Sequence, residues 1–278
     1  MTTTPITSPA GSAAQRETVV LLHSSAASSR QWDLLAEALQ PRFDVHAIDL
    51  HGHGRQPLRG GTRPLSLHDD AALALAVLQR AGSGHLVGHS YGGAVALHLA
   101  AAHPECVESL ALYEPVPFRL LADHRPDDEA TREILAVGGE VQRLVGAGDA
   151  DAAAAHFVDY WSGAGTWARL GPSRRLAISV RMPVVAMHFG TLFDEALPPA
   201  ALQRLRMPLL CLHGTRSTRA AIVLAALLRE LLPEARHEAL TGLGHMGPLT
   251  DAARVNERLL RFWRADIPGW QLPARTAA

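Results

Sequence analysis

The sequence predicts an α/β fold with a mostly parallel sheet, helices on both of its faces and an inserted helical cap. Short apolar runs typical of buried strands alternate with segments of helical periodicity. The alternation stops between residues 117 and 205, where only short helical stretches separated by Gly and Pro occur, and then resumes to about residue 266. We therefore expect a core made of residues 17–116 and 206–266, interrupted by a cap of residues 117–205.

The elements of the core follow in order along the chain. Ser28 or Ser29 is placed to cap the first helix, and Ser66 with Asp69 resembles a capping box at the start of the second. Strands are predicted over residues 18–22, 43–48, 85–89, 107–113, 207–213 and 236–240. Core helices are predicted to about residue 39 and over residues 66–81, 93–103, 219–232 and 251–263. Helices of the cap are predicted over residues 129–136, 140–145, 150–161, 172–180 and 183–193.

The composition excludes several classes of function. Among 278 residues, 26 basic and 27 acidic side chains give a formal net charge of -1, so there is no excess of positive charge for nucleic acid or an anionic membrane. The chain contains no lysine. Schiff-base lysine chemistry and a Walker A phosphate loop are therefore excluded.

The cysteines and the two ends of the chain indicate where the protein works. Cys106 and Cys211 lie in apolar stretches and are expected to be buried free thiols. Residues 1–16 are predicted to be a disordered leader, without the apolar segment of a signal peptide, and residues 267–278 a flexible tail. We expect a cytoplasmic protein that acts on a small molecule.

A nucleophilic serine is predicted where the third strand meets the following helix. Residues 88–92 read Gly-His-Ser-Tyr-Gly and match the pattern G-x-S-x-G, which forms a sharp turn that lifts the serine hydroxyl into a cleft. The flanking glycines are needed because the strand and the helix approach closely at a strained turn. The pattern and its context predict Ser90 as the nucleophile.

A base for this serine is predicted after the last strand. A serine hydroxyl is a weak nucleophile until a neighbouring base accepts its proton. His245 lies in the loop Gly-Leu-Gly-His-Met-Gly of residues 242–247, just past the strand that ends near residue 240. Such a loop would carry the imidazole to the same edge of the sheet as Ser90.

Together these motifs resemble those of the α/β-hydrolase fold family over residues 18–263. The stretch from Leu21 to Trp32 resembles the family's His-Gly loop of the oxyanion hole, and residues 49–54 resemble its D-x-x-G-x-G turn. The resemblance implies that the backbone N–H groups of Ser25 and Tyr91 form the oxyanion hole. Ser24 replaces the family's usual glycine, which would stiffen the loop or add a hydroxyl to the pocket. The polar leader would not supply the family's first hairpin, so a truncated sheet edge is expected.

The acid of the catalytic triad departs from the family's common arrangement. The family commonly has an aspartate three residues after the glycine that ends the penultimate strand, where this chain has Ser217. The family's other position for the acid follows the strand after the nucleophile helix, and Glu114 stands there. We predict that Glu114 orients His245, with Asp194, Glu195 or the absence of an acid as alternatives.

Two histidines suggest a metal site as another interpretation. His51 and His53 resemble the start of the H-x-H-x-D-H motif of metallo-β-lactamases, but Arg55 and Gln56 stand where Asp and His would be needed. We therefore predict neither a metal nor a cofactor.

The predicted function is cleavage of carboxylic esters of small to medium apolar substrates through an acyl-enzyme on Ser90. Phe118 and Met246 are candidate substrate contacts. Hydrolysis of a C–C bond by the same fold is the first alternative, because cap arginines would bind an acidic substrate; these are Arg169, Arg174, Arg175 and Arg181. A ligand-binding protein that has lost turnover is the second alternative.

Overall fold

The computed structural model describes residues 16–60 and 64–266, and its strands form one six-stranded sheet. In chain order the strands are β1 Thr18–Leu22, β2 Asp44–Ile48, β3 Gly84–His89, β4 Val107–Tyr113, β5 Leu209–Gly214 and β6 Arg236–Leu240. Their order in the sheet is β2-β1-β3-β4-β5-β6, and every neighbouring pair is parallel. The predicted α/β fold with a parallel sheet is confirmed.

The α-helices of the described residues lie before, between and after these strands. They are α1 Asp33–Leu39, α2 Leu67–Ala81, α3 Tyr91–Ala102, α4 Arg119–His124, α5 Glu129–Gly146, α6 Ala150–Ser162, α7 Thr166–Arg169, α8 Pro172–Ser179, α9 Met182–Asp194, α10 Pro199–Leu202, α11 Arg219–Leu231, α12 Gly247–Thr250 and α13 Ala252–Asp266. Helices α4 to α10 all lie between β4 and β5, in the segment for which the sequence predicts only helices.

Helices cover both faces of the sheet, and successive side chains of a strand point to opposite faces. Val19 and Leu21 of β1 belong to the apolar cluster that also holds residues of α1 and α13. Val20 and Leu22 belong to the cluster that holds residues of α2, α3 and α11. This arrangement explains why all five residues of β1 are buried and apolar or β-branched.

Helix α5 differs from the sequence prediction, which divided it into two shorter helices. Gly138 and Gly139 lie inside one continuous helix that packs against α6 and α9. A Cβ atom on Gly138 would lie 2.5 Å from Cε2 of Phe193 and 2.8 Å from Cδ1 of Phe189. The glycine therefore allows the close approach of α9, and this packing outweighs the low helix propensity of glycine.

Smaller differences concern short helices and the ends of the chain. Helices α4, α7, α10 and α12 lie where no helix is predicted, and the last predicted helix, over residues 251–263, corresponds to α13. The predicted leader, apart from Arg16, and the predicted tail lie outside the described residues. Within the described residues the sheet ends at β2 on one side and no strand is antiparallel to its neighbour.

Within residues 16–60 and 64–266, no single helix has both the length and the apolarity needed to cross a membrane. Helices α8 and α9, joined at a bend of 47°, meet this test only as a pair.

The register of the sheet brings four strand ends to one edge. His89 pairs with Tyr113, Tyr113 pairs with Leu212, and Gly214 pairs with Leu240. The residues that follow β3, β4, β5 and β6 therefore emerge side by side at the carboxyl edge of the sheet, where ligands bind in open α/β sheets.

Candidate active site

Ser90 occupies the turn between β3 and α3 with a strained backbone. Its φ of 55° and ψ of -119° lie outside the regions that residues other than glycine favour. A Cβ atom on Gly88 would collide with the backbone of Gly92, and one on Gly92 would collide with the carbonyl of His23. The two glycines therefore let β3, α3 and the end of β1 meet at this turn, with the Ser90 hydroxyl at their junction.

His245 lies within hydrogen-bond distance of that hydroxyl. Its Nε2 atom is 2.9 Å from Oγ of Ser90, and only 2% of the residue is exposed. The loop that carries His245 is held by Tyr113, whose hydroxyl donates a hydrogen bond of 2.7 Å to the carbonyl of Gly244. The glycine at 247 leaves the space that the Tyr113 ring occupies.

Glu114 contacts the other nitrogen of the imidazole. Its Oε2 atom is 2.6 Å from Nδ1 of His245, and the residue is buried. The backbone N–H of Gly214 donates to Oε1 at 2.7 Å, and the Ser217 hydroxyl donates to Oε2 at 2.6 Å. An Nδ1–H that donates to the carboxylate leaves the Nε2 lone pair free to accept the serine proton.

The alternative acids lie elsewhere. Both carboxylate oxygens of Glu195 accept hydrogen bonds from the backbone N–H of Leu67, at the first turn of α2. Asp194 is the last residue of α9 and is exposed, and its backbone carbonyl accepts a hydrogen bond from Arg119. Of the carboxylates weighed from the sequence, the structure brings Glu114 to the imidazole.

The backbone N–H groups of Ser25 and Tyr91 lie near this hydrogen-bonded chain. Tyr91 is the first residue of α3, directly after Ser90, and the close contact of Gly92 with the end of β1 brings the loop of Ser25 alongside. Among the described residues neither N–H donates a hydrogen bond within the protein. The arrangement has the two free N–H groups that an oxyanion hole requires.

Ser24 does not add a hydroxyl to the pocket. Its Oγ donates to Oε1 of Gln31 at 2.9 Å and its backbone N–H donates to the same oxygen at 3.2 Å. Oε1 of Gln31 also lies 3.2 Å from Nδ1 of His89, whose Nε2 is 2.8 Å from the carbonyl of His245. Ser24 thus fixes the oxyanion loop to the loop of His245 through two intervening side chains.

A small cavity, with about 250 Å³ of empty volume, adjoins Ser90. Three lining residues carry polar groups in the cavity wall: Ser25, Ser90 and His188. The other lining residues are aliphatic or aromatic: Val116, Phe118, Phe157, Trp161, Val185, Phe189 and Leu192. Phe118 is thus part of the wall, whereas Met246 packs against the apolar core.

A larger, open groove lies at the amino ends of β5 and β6, among residues such as Met207 and Arg236. It holds no residue of the site at Ser90, so we assign the chemistry to the smaller cavity.

Two side chains at this site escape prediction as site residues. Trp161 of α6 covers the His245 ring, with ring centroids 3.9 Å apart and planes tilted by 30°. His188 of α9 stacks on the Tyr91 ring at 3.5 Å. The sequence signal for His188 is a polar residue within the mainly apolar helix α9, but the residues that it contacts are distant in the chain.

His51 and His53, the candidate metal ligands, have protein partners. Nδ1 of His51 lies 2.8 Å from Oδ1 of Asp70, whose Oδ2 accepts a hydrogen bond from the Tyr91 hydroxyl. Nδ1 of His53 faces the carbonyl of His51 at 3.0 Å, and its Nε2 accepts from the backbone N–H of Ala26. These bonds give both rings a structural role in the turn beneath the site.

The chain is similar to known proteins in sequence and in structure. A family model described as alpha/beta hydrolase fold matches residues 17–252. Lipase LipV of Mycobacterium tuberculosis is 40% identical over 99 residues, which are 35% of this chain and 36% of the lipase. The pimeloyl-acyl-carrier-protein methyl ester esterase of Aeromonas hydrophila is 37% identical over 108 residues, 39% of this chain and 41% of the esterase. The chain thus matches less than half the length of these curated relatives.

A solved structure extends the likeness to almost the whole fold. MenH from S. aureus superposes with a TM-score of 0.72 and 18% sequence identity, covering 91% of this chain and 95% of MenH. At this identity the likeness concerns the fold alone.

Proposed function

The chain belongs to the α/β hydrolase fold family, and from this premise we propose that it is a cofactor-independent serine hydrolase of carboxylic esters. The observation that carries the proposal is the continuous hydrogen-bonded chain from Ser90 through His245 to Glu114. The names of two relatives, a lipase and a methyl ester esterase, support an ester as the bond that is cleaved.

Acylation begins when Oγ of Ser90 attacks the ester carbonyl carbon and its proton passes to Nε2 of His245. The carbonyl oxygen becomes an oxyanion, which accepts hydrogen bonds from the N–H groups of Ser25 and Tyr91. Glu114 holds the imidazole in place and stabilises the imidazolium that forms. When the C–O bond breaks, Nε2 returns the proton to the departing alkoxide, which leaves as the alcohol.

Deacylation repeats these steps with water. Nε2 of His245 accepts a proton as the water oxygen attacks the acyl carbon, and the bond to Oγ of Ser90 then breaks. The same proton returns to Oγ, and the carboxylic acid is released. The cycle consumes one water and needs no group beyond those that the chain supplies.

The cavity supports a small to medium apolar substrate. Most of its wall is aliphatic or aromatic, and the polar groups in the wall belong to Ser25, Ser90 and His188. We propose that Phe118 contacts the substrate as part of this wall. Soluble short-chain esters should therefore be cleaved in preference to emulsified triglycerides.

The alternatives find less support. The cap arginines that would bind an acidic C–C hydrolase substrate do not line the cavity. Arg175 donates to the carbonyls of Trp167 and Ala168, and Arg181 donates to the carbonyl of Ala177. A binding protein without turnover would have no need of the hydrogen-bonded chain at Ser90.

The test is hydrolysis of p-nitrophenyl butyrate by the wild type and by Ser90→Ala, with circular dichroism to check the fold. We expect the variant to lose essentially all turnover, because the hydroxyl is the covalent centre. Residual activity within about tenfold of the wild type, far less than nucleophile loss costs elsewhere, would place the nucleophile at another residue.

A further inference from the structure

His188 contributes a polar ring to the otherwise apolar wall that α9 presents to the cavity. The residue is 1% exposed, and its neighbours on the same helix, Val185, Phe189 and Leu192, form the apolar part of that wall. A buried polar ring in such a wall is costly unless its nitrogens are hydrogen-bonded.

Two contacts of the ring involve residues that we assign to the oxyanion hole, and a third, stacking on His53 with ring centroids 5.3 Å apart, does not. Nδ1 of His188 lies 2.8 Å from Oγ of Ser25. The ring also stacks on Tyr91 with centroids 3.5 Å apart and planes 6° from parallel. His188 therefore lies directly against the residues that would bind the carbonyl oxygen of a substrate.

The opposite nitrogen of the ring has no partner. Within the described part of the chain, Nε2 of His188 is buried and makes no hydrogen bond. Burial, with smaller contributions from His53 and His23, keeps the pKa of His188 well below its usual value, so the ring is neutral. A neutral ring carries one N–H donor and one acceptor nitrogen.

The tautomer follows from counting unmatched groups. If the Ser25 hydroxyl donates to Nδ1, only the Nε2–H of the ring is left without a partner. If Nδ1–H donates to Ser25 instead, both the serine hydrogen and the Nε2 lone pair are unmatched, because Oγ of Ser25 has no other bond among the described residues. The first arrangement leaves fewer unmatched groups and makes Nε2–H a free donor on a side chain that lines the cavity.

We propose that His188 is a specificity-determining residue whose Nε2–H donates a hydrogen bond to a second acceptor oxygen on the substrate, close to the scissile carbonyl. The inference rests on the proposed ester hydrolysis and narrows its substrate class to esters with an ether or keto oxygen near the carbonyl. The acceptor is uncharged, because no cationic side chain lines the cavity in the described residues.

A role confined to packing or to holding Ser25 accounts for less. An apolar ring at position 188 would stack on Tyr91 equally well without burying an unmatched N–H. A side chain that only held Ser25 would need Nδ1 and not Nε2. Holding Ser25 through Nδ1 and donating to the substrate from Nε2 predict opposite results for two amide substitutions. The amide of asparagine reaches the position of Nδ1, and that of glutamine reaches the position of Nε2.

The test compares p-nitrophenyl methoxyacetate with p-nitrophenyl butyrate, which differ by an ether oxygen in place of a methylene. The ratio of their kcat/KM values in each variant, divided by the wild-type ratio, cancels their difference in intrinsic reactivity. For His188→Leu and His188→Asn we expect the preference for the ether to fall about tenfold, as loss of a buried donor does elsewhere. His188→Gln should stay within about threefold of the wild type. Val185→Ala, the matched control in the same wall, should change both esters equally.

A binding measurement keeps the inference separate from catalysis. Calorimetry with methoxyacetanilide and butyranilide, amides of the same two acids, requires no turnover. We expect the wild type and His188→Gln to bind the ether compound more tightly, and His188→Leu and His188→Asn to lose that preference. Equal binding of both anilides by the wild type, or retention of the preference by His188→Asn, would overturn the proposal. Failure of the wild type to hydrolyse either ester would count against the proposed function alone.

Discussion

The hydroxyl of Ser217 donates a hydrogen bond of 2.6 Å to Oε2 of Glu114, the carboxylate oxygen that also lies 2.6 Å from Nδ1 of His245. The family commonly has its acid at the position of Ser217. In this chain the carboxylate follows the end of β4, and Ser217, three residues past the end of β5, donates to it. Because β4 and β5 are neighbours in the sheet, side chains from either strand end reach the same imidazole.

Glu114→Gln should lower kcat for p-nitrophenyl butyrate by about 10³- to 10⁴-fold, as loss of a triad acid does elsewhere. The amide keeps the shape of the side chain but removes the charge that stabilises the imidazolium. Ser217→Ala is the matched control and should cost only about tenfold or less, because it removes one donor to a carboxylate that keeps the Gly214 N–H. A Glu114→Gln variant within a few-fold of the wild type would contradict the assignment.

Ser217→Asp should restore much of the activity that Glu114→Gln loses. An aspartate there would lie where the family commonly has its acid, next to the site of the Glu114 carboxylate. In the wild-type background the same substitution should lower activity, because two carboxylates would be buried together. The measurement is kcat of the single and double variants, and a double variant no faster than Glu114→Gln would show that position 217 does not reach His245.

Trp161→Leu should lower kcat by about three- to thirtyfold, because the indole face that covers His245 stabilises the imidazolium by a cation–π interaction. Trp161→Phe should retain more activity, since a smaller aromatic face remains. Phe157→Leu is the control, because Phe157 lines the cavity and packs edge-on against Phe189. That substitution should act mainly on KM. Equal kcat values for the Leu and Phe variants at 161 would rule out the cation–π role.

The free energy of unfolding should fall as the pH drops below about 6.5. Burial lowers the pKa of His23 to about 3 and lowers those of His53, His89 and His188, so these rings stay neutral in the folded protein. In the unfolded chain they bind protons below the usual pKa of 6.5, and the unfolded state gains stability. Above that pH each ring is neutral in both states and leaves the free energy of unfolding unchanged. Below it, each ring lowers the free energy of unfolding by about 1.4 kcal/mol per pH unit.

His188→Leu makes this pH dependence testable. Urea unfolding at pH 7.5 and 5.5 should show a smaller acid loss for His188→Leu than for the wild type, by about 1 kcal/mol. Val185→Ala should lower stability by a similar amount at both pH values, because it removes no titratable group. Identical acid losses for the wild type and His188→Leu would contradict the neutral assignment of the ring.

Gly138→Ala and Gly139→Ala should change stability in opposite directions. A methyl group at 138 meets the rings of Phe189 and Phe193 and should destabilise the fold by about 1–3 kcal/mol. Gly139 is exposed in the same helix with open space at its Cβ position, so alanine there should stabilise by about 0.5–1 kcal/mol. The measurement is thermal unfolding of both variants. If alanine stabilised the protein at both positions, the close packing of Gly138 against α9 would be contradicted.

How far the sequence predicts the site depends on how local each feature is. Ser90 is predictable because the elbow is a contiguous pattern between a strand and a helix. Glu114 could be predicted only beside alternatives, because the position of the acid depends on which strand ends meet in space. His188 escaped prediction because its contact with Ser25 joins residues 163 positions apart. Between β4 and β5, Gly138 signalled a helix end, although in the structure it lies within α5 and allows α9 to pack closely against it.

The central claim is that Ser90 forms the covalent intermediate, and an activated phosphonate ester that transfers its phosphorus to a reactive serine tests it most directly. The protein is incubated with the reagent, activity on p-nitrophenyl butyrate is followed, and the adduct is mapped by peptide mass spectrometry. We predict that activity falls in proportion to a single adduct on Ser90, and that Ser90→Ala and Glu114→Gln are labelled far more slowly. Full loss of activity with the adduct on another residue, or unchanged activity with Ser90 labelled, would contradict the account.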